Sequence, residues 1–157
     1  MSIIDLKLEY CYDVGNRLLD DEHRTFFQLI KNVADAHKNH ASKEKTIRLL
    51  NEVKLYASYH FCREDNLMLD SNFQGYSAHH KEHKKILAEM NDQIRHFRAD
   101  DIEPGKVVSS ILFWFKKHTT IKDKVLADYL RIRTNIKRTN SQQFETTKRE
   151  NLEAYTL

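Results

Sequence analysis

Apolar residues recur every three or four positions through four stretches of this chain, the spacing of helices that bury one face. The first stretch runs from about Leu18 to His40, with Phe26, Phe27, Ile30 and Ala34 on one side. The second starts near Ser42 and shows Ile47, Leu50, Val53, Ala57, Phe61, Leu67 and Met68; Lys45 stands three residues on, so no capping box marks its start. After a turn expected around Asn72 to Gly75, the third carries Ile86, Leu87, Met90, Ile94 and Phe97. Ala99 to Gly105 (ADDIEPG) reads as a loop, and Pro104 suits the first turn of a fourth helix bearing Val107, Val108, Ile111, Leu112, Trp114 and Phe115. Four such helices make an all-α bundle.

Metal-ligating residues continue those apolar faces in a fixed order: His23, then His60 and Glu64, then His79 and His83, then His118 and Asp123. The pairs HFCRE and HHKEH are each four apart, so on a helix both members face one point. Five imidazoles and two carboxylates are too many ligands for one tetrahedral zinc, and two metal ions fit the count better. His118 and Asp123 are five apart, about 140° from each other on a regular helix. The helix must therefore bend or stop there, and the β-branched Thr119, Thr120 and Ile121 suit a local break or a π-type bulge between 118 and 123. A lone histidine in an apolar stripe is usually a core or half-exposed residue; seven ligand residues in series reverse that reading. His37, His40, His80 and His96 fall outside the pattern and read as surface residues.

Composition narrows the picture. The 157 residues include three glycines and one proline, with 40% apolar and 31% charged residues well mixed, which favours long helices. One domain over residues 1–130 and an extension over 131–157 are expected. The longest wholly apolar run, Ile111 to Phe115, is far too short to span a bilayer. Cys11 and Cys62 make no disulfide framework, so a cytoplasmic location is expected. The net charge of +3 resides entirely in residues 131–157, and the rest of the chain balances 20 basic against 20 acidic groups. A neutral body argues against a nucleic-acid surface.

The order H, HxxxE, HxxxH, HxxxxD resembles the hemerythrin family, specifically its bacterial members. The similarity spans about residues 8–130 and extends past the ligands, through VGNRLLDDEHRTFFQLI, HFCREDNLM and WFKKHTTIKD. Leu8 stands where many members carry Trp, and Asp65 replaces the second Glu of the usual pair. The resemblance implies an antiparallel four-helix bundle with an N-terminal arm, enclosing a non-haem di-iron centre. His79, His83 and His118 would bind one iron and His23 and His60 the other; Glu64 and Asp123 would bridge both, together with an oxide or hydroxide. The first ion is then six-coordinate. The second keeps one vacancy, where dioxygen would bind. Reversible binding needs a dry wall, for which Phe27, Trp114 and Phe115 are the candidates.

Other chemistries lack their motifs: no HExxH, GxSxG or Gly-rich phosphate loop occurs, and no histidine has Glu three residues before it as in ferritin-like sites. The expected role is an oxygen carrier or store rather than an enzyme, with an oxygen or redox sensor as the alternative and a weak peroxide or nitric-oxide reacting enzyme third. Residues 131–157 hold only Ile132, Ile136, Phe144, Leu152, Tyr155 and Leu157 as large apolar residues, too few for a core of their own. They form either a solvated tail or a helix leading to a fused or partner output domain.

Overall fold

The computed structural model describes residues 12–154 of the chain. Its helices are α1 Arg17–Lys38, α2 Lys43–Asp70, α3 Tyr76–Arg98, α4 Pro104–His118, a π-helical turn Thr119–Asp123, and α5 Lys124–Ala154. The last three run on without a break and form the fourth helix of the bundle. α1 packs against α2 and α4, and α3 packs against the same two. Connections of only a few residues force sequential helices to run antiparallel. The four-helix bundle implied by the resemblance is the observed fold.

Local chemistry sets the helix ends. Asn16 caps α1, its Oδ1 accepting from the Leu18 and Leu19 amides at 3.1 and 3.3 Å, and Ser42 caps α2 by accepting from Lys45 at 3.2 Å. α1, α2 and α3 each end at a non-glycine residue with positive φ: His40 at 53°, Asn72 at 53° and Asp100 at 62°. The next amide in each case reaches back five residues, as in Ala41 N to Ala36 O at 2.9 Å, Phe73 N to Met68 O at 2.9 Å and Asp101 N to His96 O at 3.0 Å. These are Schellman closures, which offset the left-handed backbone by satisfying otherwise orphaned carbonyls. Glycine scarcity therefore does not prevent sharp turns here.

A layer of buried polar side chains divides the core. On one side Phe26, Phe27, Ile30, Leu50, Val53, Ile86, Met90, Ile94, Val107, Ile111 and Phe115 belong to one large apolar cluster; on the other, Val14, Leu19, Met68, Leu126 and Ala127 form a small one. The segment before α1 is tied to this short end, since Val14 N donates to Asp20 Oδ1 at 2.6 Å and Lys124 Nζ donates to Val14 O at 3.2 Å. The extension expected after residue 130 is helical as far as Ala154. Leu8 and Cys11, on which the reading of the N-terminal arm bears, lie outside the described residues, as do Tyr155 and Leu157.

Candidate metal centre

All seven residues singled out by the ligand pattern meet in the polar layer, and each is buried. His23 comes from α1, His60 and Glu64 from α2, His79 and His83 from α3, His118 from the end of α4, and Asp123 from the π turn. The wider turn solves the five-residue spacing. Lys124 N–H bonds to Thr119 O, five residues back, while Thr120 Oγ1 donates to Lys116 O at 2.7 Å. The extra residue is absorbed, so Asp123 returns to the face of His118 with its Oδ1 3.2 Å from His118 Nε2.

The ligand atoms fall into two groups that share two members. Glu64, His79, His83, His118 and Asp123 converge in one, His23, His60, Glu64 and Asp123 in the other, and within each group the atoms lie within 4.8 Å of one another. His83 Nε2 and His79 Nε2 both stand 3.0 Å from His118 Nε2. Asp123 reaches His23 Nε2 at 3.2 Å and His79 Nε2 at 3.1 Å; Glu64 reaches His83 Nε2 at 3.0 Å and His60 Nε2 at 3.6 Å. Both oxygens of Glu64, both of Asp123 and Nε2 of His23 are buried without a hydrogen-bond partner. Leaving five such atoms unsatisfied in a protein interior is costly. A cation held in each group would satisfy all of them, and imidazoles with shared carboxylates suit iron among the first-row metals. The residues present fit a di-iron site.

Electrostatics in the metal-free chain point the same way. Burial and the charge of Asp123 oppose ionisation of Glu64, yet His60, His79 and His83 outweigh them and bring its pKa down to about 2. Asp123 is likewise held well below the usual carboxylate range, its burial overcome by His118, His23 and His79. Burial disfavours a charge on His79, but the facing carboxylates of Asp123 and Glu64 raise its pKa to about 9. Both carboxylates are anionic at neutral pH, ready to bridge cations.

Outer partners aim the rings. His23 donates Nδ1–H to the Tyr12 carbonyl at 3.0 Å, His60 Nδ1 bonds to Glu22 at 2.8 Å, and His83 Nδ1 bonds to Asp65 at 3.1 Å. Each bond leaves the Nε2 lone pair facing the centre. Arg63 holds Glu22 from its other oxygen at 2.8 Å, and Glu82 lies 3.6 Å from His118 Nδ1. Glu22, Asp65 and Glu82 were not anticipated as part of the site. His80 departs from the surface position expected of it: it is half-buried and bonds to Asp65 at 2.7 Å. His40 is exposed, and His37 and His96 are half-buried.

A cavity of about 10 Å³ adjoins the ligands, touching His60, His118 and Asp123 and otherwise walled largely by Phe26, Phe61, Ile86, Met90, Ile111, Trp114 and Phe115. Its volume is about that of one water-sized probe. Of the three residues the sequence offered for a pocket wall, Trp114 and Phe115 line this cavity. Phe27 does not; the neighbouring Phe26 takes that place. One residue turns a helix by 100°, so Phe26 meets Phe115 (centroids 4.9 Å apart) while Phe27 packs on Tyr12 at 5.5 Å. Phe61 stacks on His83 at 4.2 Å and closes the wall against the three-histidine group.

Residues 14–130 match the family model described as the hemerythrin HHE cation binding domain. The chain is 26% identical over 118 residues to the bacteriohemerythrin of Ralstonia nicotianae, covering 74% of this chain and 82% of that protein. It is 23% identical over 124 residues to the bacteriohemerythrin of Clostridium acetobutylicum, covering 74% and 95%. With the myohemerythrin of Sipunculus nudus it shares 33% identity over 79 residues, half of this chain and 60% of that one. The crystal structure of a wild-type hemerythrin superposes with a TM-score of 0.66 at 23% identity, over 72% of this chain and 87% of that chain.

Proposed function

Because the chain belongs to the hemerythrin HHE cation-binding family, we propose that it binds dioxygen reversibly at a non-haem di-iron centre, as a carrier or store rather than an enzyme. The observation that carries this reading is the inequality of the two ligand groups around shared carboxylates. His79, His83 and His118 with the two carboxylates would hold one ion, and His23 and His60 with the same carboxylates the other; the second would have one protein donor fewer and so room for dioxygen. Two ferrous ions supply the electrons that oxygen binding draws on. The chain supplies the rest: four helices fix the donors, Glu64 and Asp123 offset the cationic charge, and the phenylalanines, Trp114, Ile86, Ile111 and Met90 exclude water from the adjoining cavity. We place the domain boundary near residue 130, with dioxygen as the principal partner and the cytoplasm as the compartment. Among the described residues no helix is long and apolar enough to cross a membrane.

Elemental analysis of protein expressed with iron tests the centre, and cycling the diferrous form between air and argon tests reversibility. About two irons per chain and an absorption band that appears and vanishes with oxygen are expected. A single metal ion, zinc after iron supplementation, or permanent oxidation on first exposure would sink the proposal.

One observation favours a second reading, oxygen or redox sensing: Asp123 is directly followed by α5, which runs to Ala154. Any displacement of that carboxylate has a short mechanical route out of the bundle. Hydrogen exchange over residues 124–154 in the diferrous and diferric states separates the two. Identical protection favours carriage.

A further inference from the structure

The outer face of α5 bears an apolar stripe that the bundle does not cover. Of the nine large apolar side chains exposed among the described residues, five lie along the fourth helix: Phe113, Ile121, Val125, Ile132 and Ile136. Val125, Ile132 and Ile136 are 57%, 56% and 55% exposed, unusual for β-branched residues on an otherwise polar helix. With the half-buried Tyr129 they step along α5 by four, three and four residues, the alternation of a coiled-coil seam. The bundle grips the helix from the opposite side, through Leu126, Ala127 and Leu130. From Arg131 onward every described side chain is exposed except the half-buried Arg133.

A helix standing clear of its own domain has little to hold it. Helical stability in water comes mainly from packing an amphipathic face, and roughly 35 Å of α5 lies beyond residue 130. The spacing of the stripe selects the partner, since a seam of alternating three and four fits another helix bearing the same seam. We infer that two copies of this chain associate through α5, side by side and parallel, with Val125, Tyr129, Ile132 and Ile136 in the seam. Polarity sets the direction. In a parallel pair Asp128 of one copy faces Arg133 of the other, five residues on, the flanking arrangement that favours parallel coiled coils. Asp128 and Arg133 are both half-buried; Asp128 accepts from Lys124 and Arg131 of its own helix, each at 3.0 Å, and Arg133 lies 3.5 Å from the Tyr129 hydroxyl. Beyond Ile136 the seam turns polar at Thr139, Gln143 and Thr146. The contact is therefore strongest beside the bundle and weakens toward Ala154.

Analytical ultracentrifugation of the full iron-loaded chain tests this. A reversible dimer of twice 18.7 kDa is expected. The double variant Ile132→Glu, Ile136→Glu should sediment as a monomer with iron content unchanged, because both residues lie outside the core, and should lose the part of the helical circular dichroism that α5 contributes beyond the bundle. Thr139→Cys in a Cys11→Ser, Cys62→Ser background should oxidise to an interchain disulfide, because position 139 meets its own copy only when the helices are parallel and in register. A chain that stays monomeric at every concentration, or a dimer that survives both glutamates, overturns the inference. A dimer lost with the glutamates but giving no disulfide overturns the parallel arrangement.

Discussion

Among the described residues, seventeen buried apolar side chains interlock on one side of the ligand layer across all four helices, and five, Val14, Leu19, Met68, Leu126 and Ala127, lie on the other. Full burial of a large aliphatic or aromatic side chain contributes roughly 1.5–3 kcal/mol. The long end thus has several times the apolar stabilisation of the short end. Polar ties compensate in part: Asp20 to the Val14 amide, Lys124 to the Val14 carbonyl, and Tyr129 OH donating to Ser71 O at 2.8 Å. The ligand layer, to which each helix contributes a donor, joins the two ends. The contrast predicts that metal binding acts on stability unevenly, least at the long end and most at the short one.

The sharpest way to break that comparison is to remove a shared carboxylate. Glu64→Ala or Asp123→Ala takes a ligand from both groups, so iron content should fall below half of the wild-type value by elemental analysis. His80→Ala, measured beside them, should leave it unchanged. In hydrogen exchange, the amides around Leu19, Met68 and Leu126 should lose protection in the carboxylate variants, while those around Leu50 and Ile111 keep it. Uniform loss along all four helices would show the two ends to be one cooperative unit.

A core truncation probes the long end directly. Leu50 is completely buried in the large cluster. Leu50→Ala should cost about 2–5 kcal/mol in urea unfolding, with full iron content retained. A loss of iron in step with stability would couple the ends more tightly than the packing implies.

Outer partners should have a smaller effect. Glu22→Gln replaces the anionic partner of His60 and releases Arg63, so iron affinity in a chelator competition should drop by roughly 10- to 100-fold. The fold should be unaltered by circular dichroism.

The smallest expected effect is on the pH dependence of the metal-free chain. A histidine whose pKa is raised on folding stabilises fully below its unfolded value and ceases to do so above its folded one. His79, raised to about 9, therefore contributes fully below pH 6.5 and loses that contribution as the pH climbs to about 9. His23 and His118 shift the same way, both opposed by burial and raised chiefly by Asp123, while His83 is lowered by burial and partly offsets them. The melting temperature of the apo-protein should decline across that window. The iron-loaded protein should not show the decline, because the ions replace the protons.

Much of the site was legible because ligation demands particular side chains at helical spacing. HFCRE and HHKEH announce themselves, and the misfit of His118 with Asp123 required a local change in the helix, found as the π turn. The outer partners carried no such signal. Glu22 and Glu82 are two carboxylates in a chain that is 31% charged, and nothing in their spacing separates them from solvent-facing neighbours; Asp65 stands out only as a departure from the usual pair, with no role attached. The partner of His23 is a backbone carbonyl, which no residue type encodes. Phe26 and Phe27 illustrate a finer limit: adjacent phenylalanines on one apolar arc are both core, and only the placement of Phe115 decides which meets the cavity. The extension read as tail or helix because its apolar residues are sparse. Its helical continuation follows from an unbroken run of residues with no glycine or proline after α4.

The π turn also changes how the chain should be measured. Counted in residues, the fourth helix is the exception among the ligand pairs, with five steps where the others take four. Counted in turns, the three pairs are alike, because the wide turn uses one residue more to complete the same rotation. Angular phase, not chain length, is thus what the fourth helix preserves. A phase kept through Asp123 also places Phe113 and Ile121 upstream on the same meridian as Val125, Ile132 and Ile136 downstream. One surplus residue in the interior leaves the outside of the rod in register from end to end.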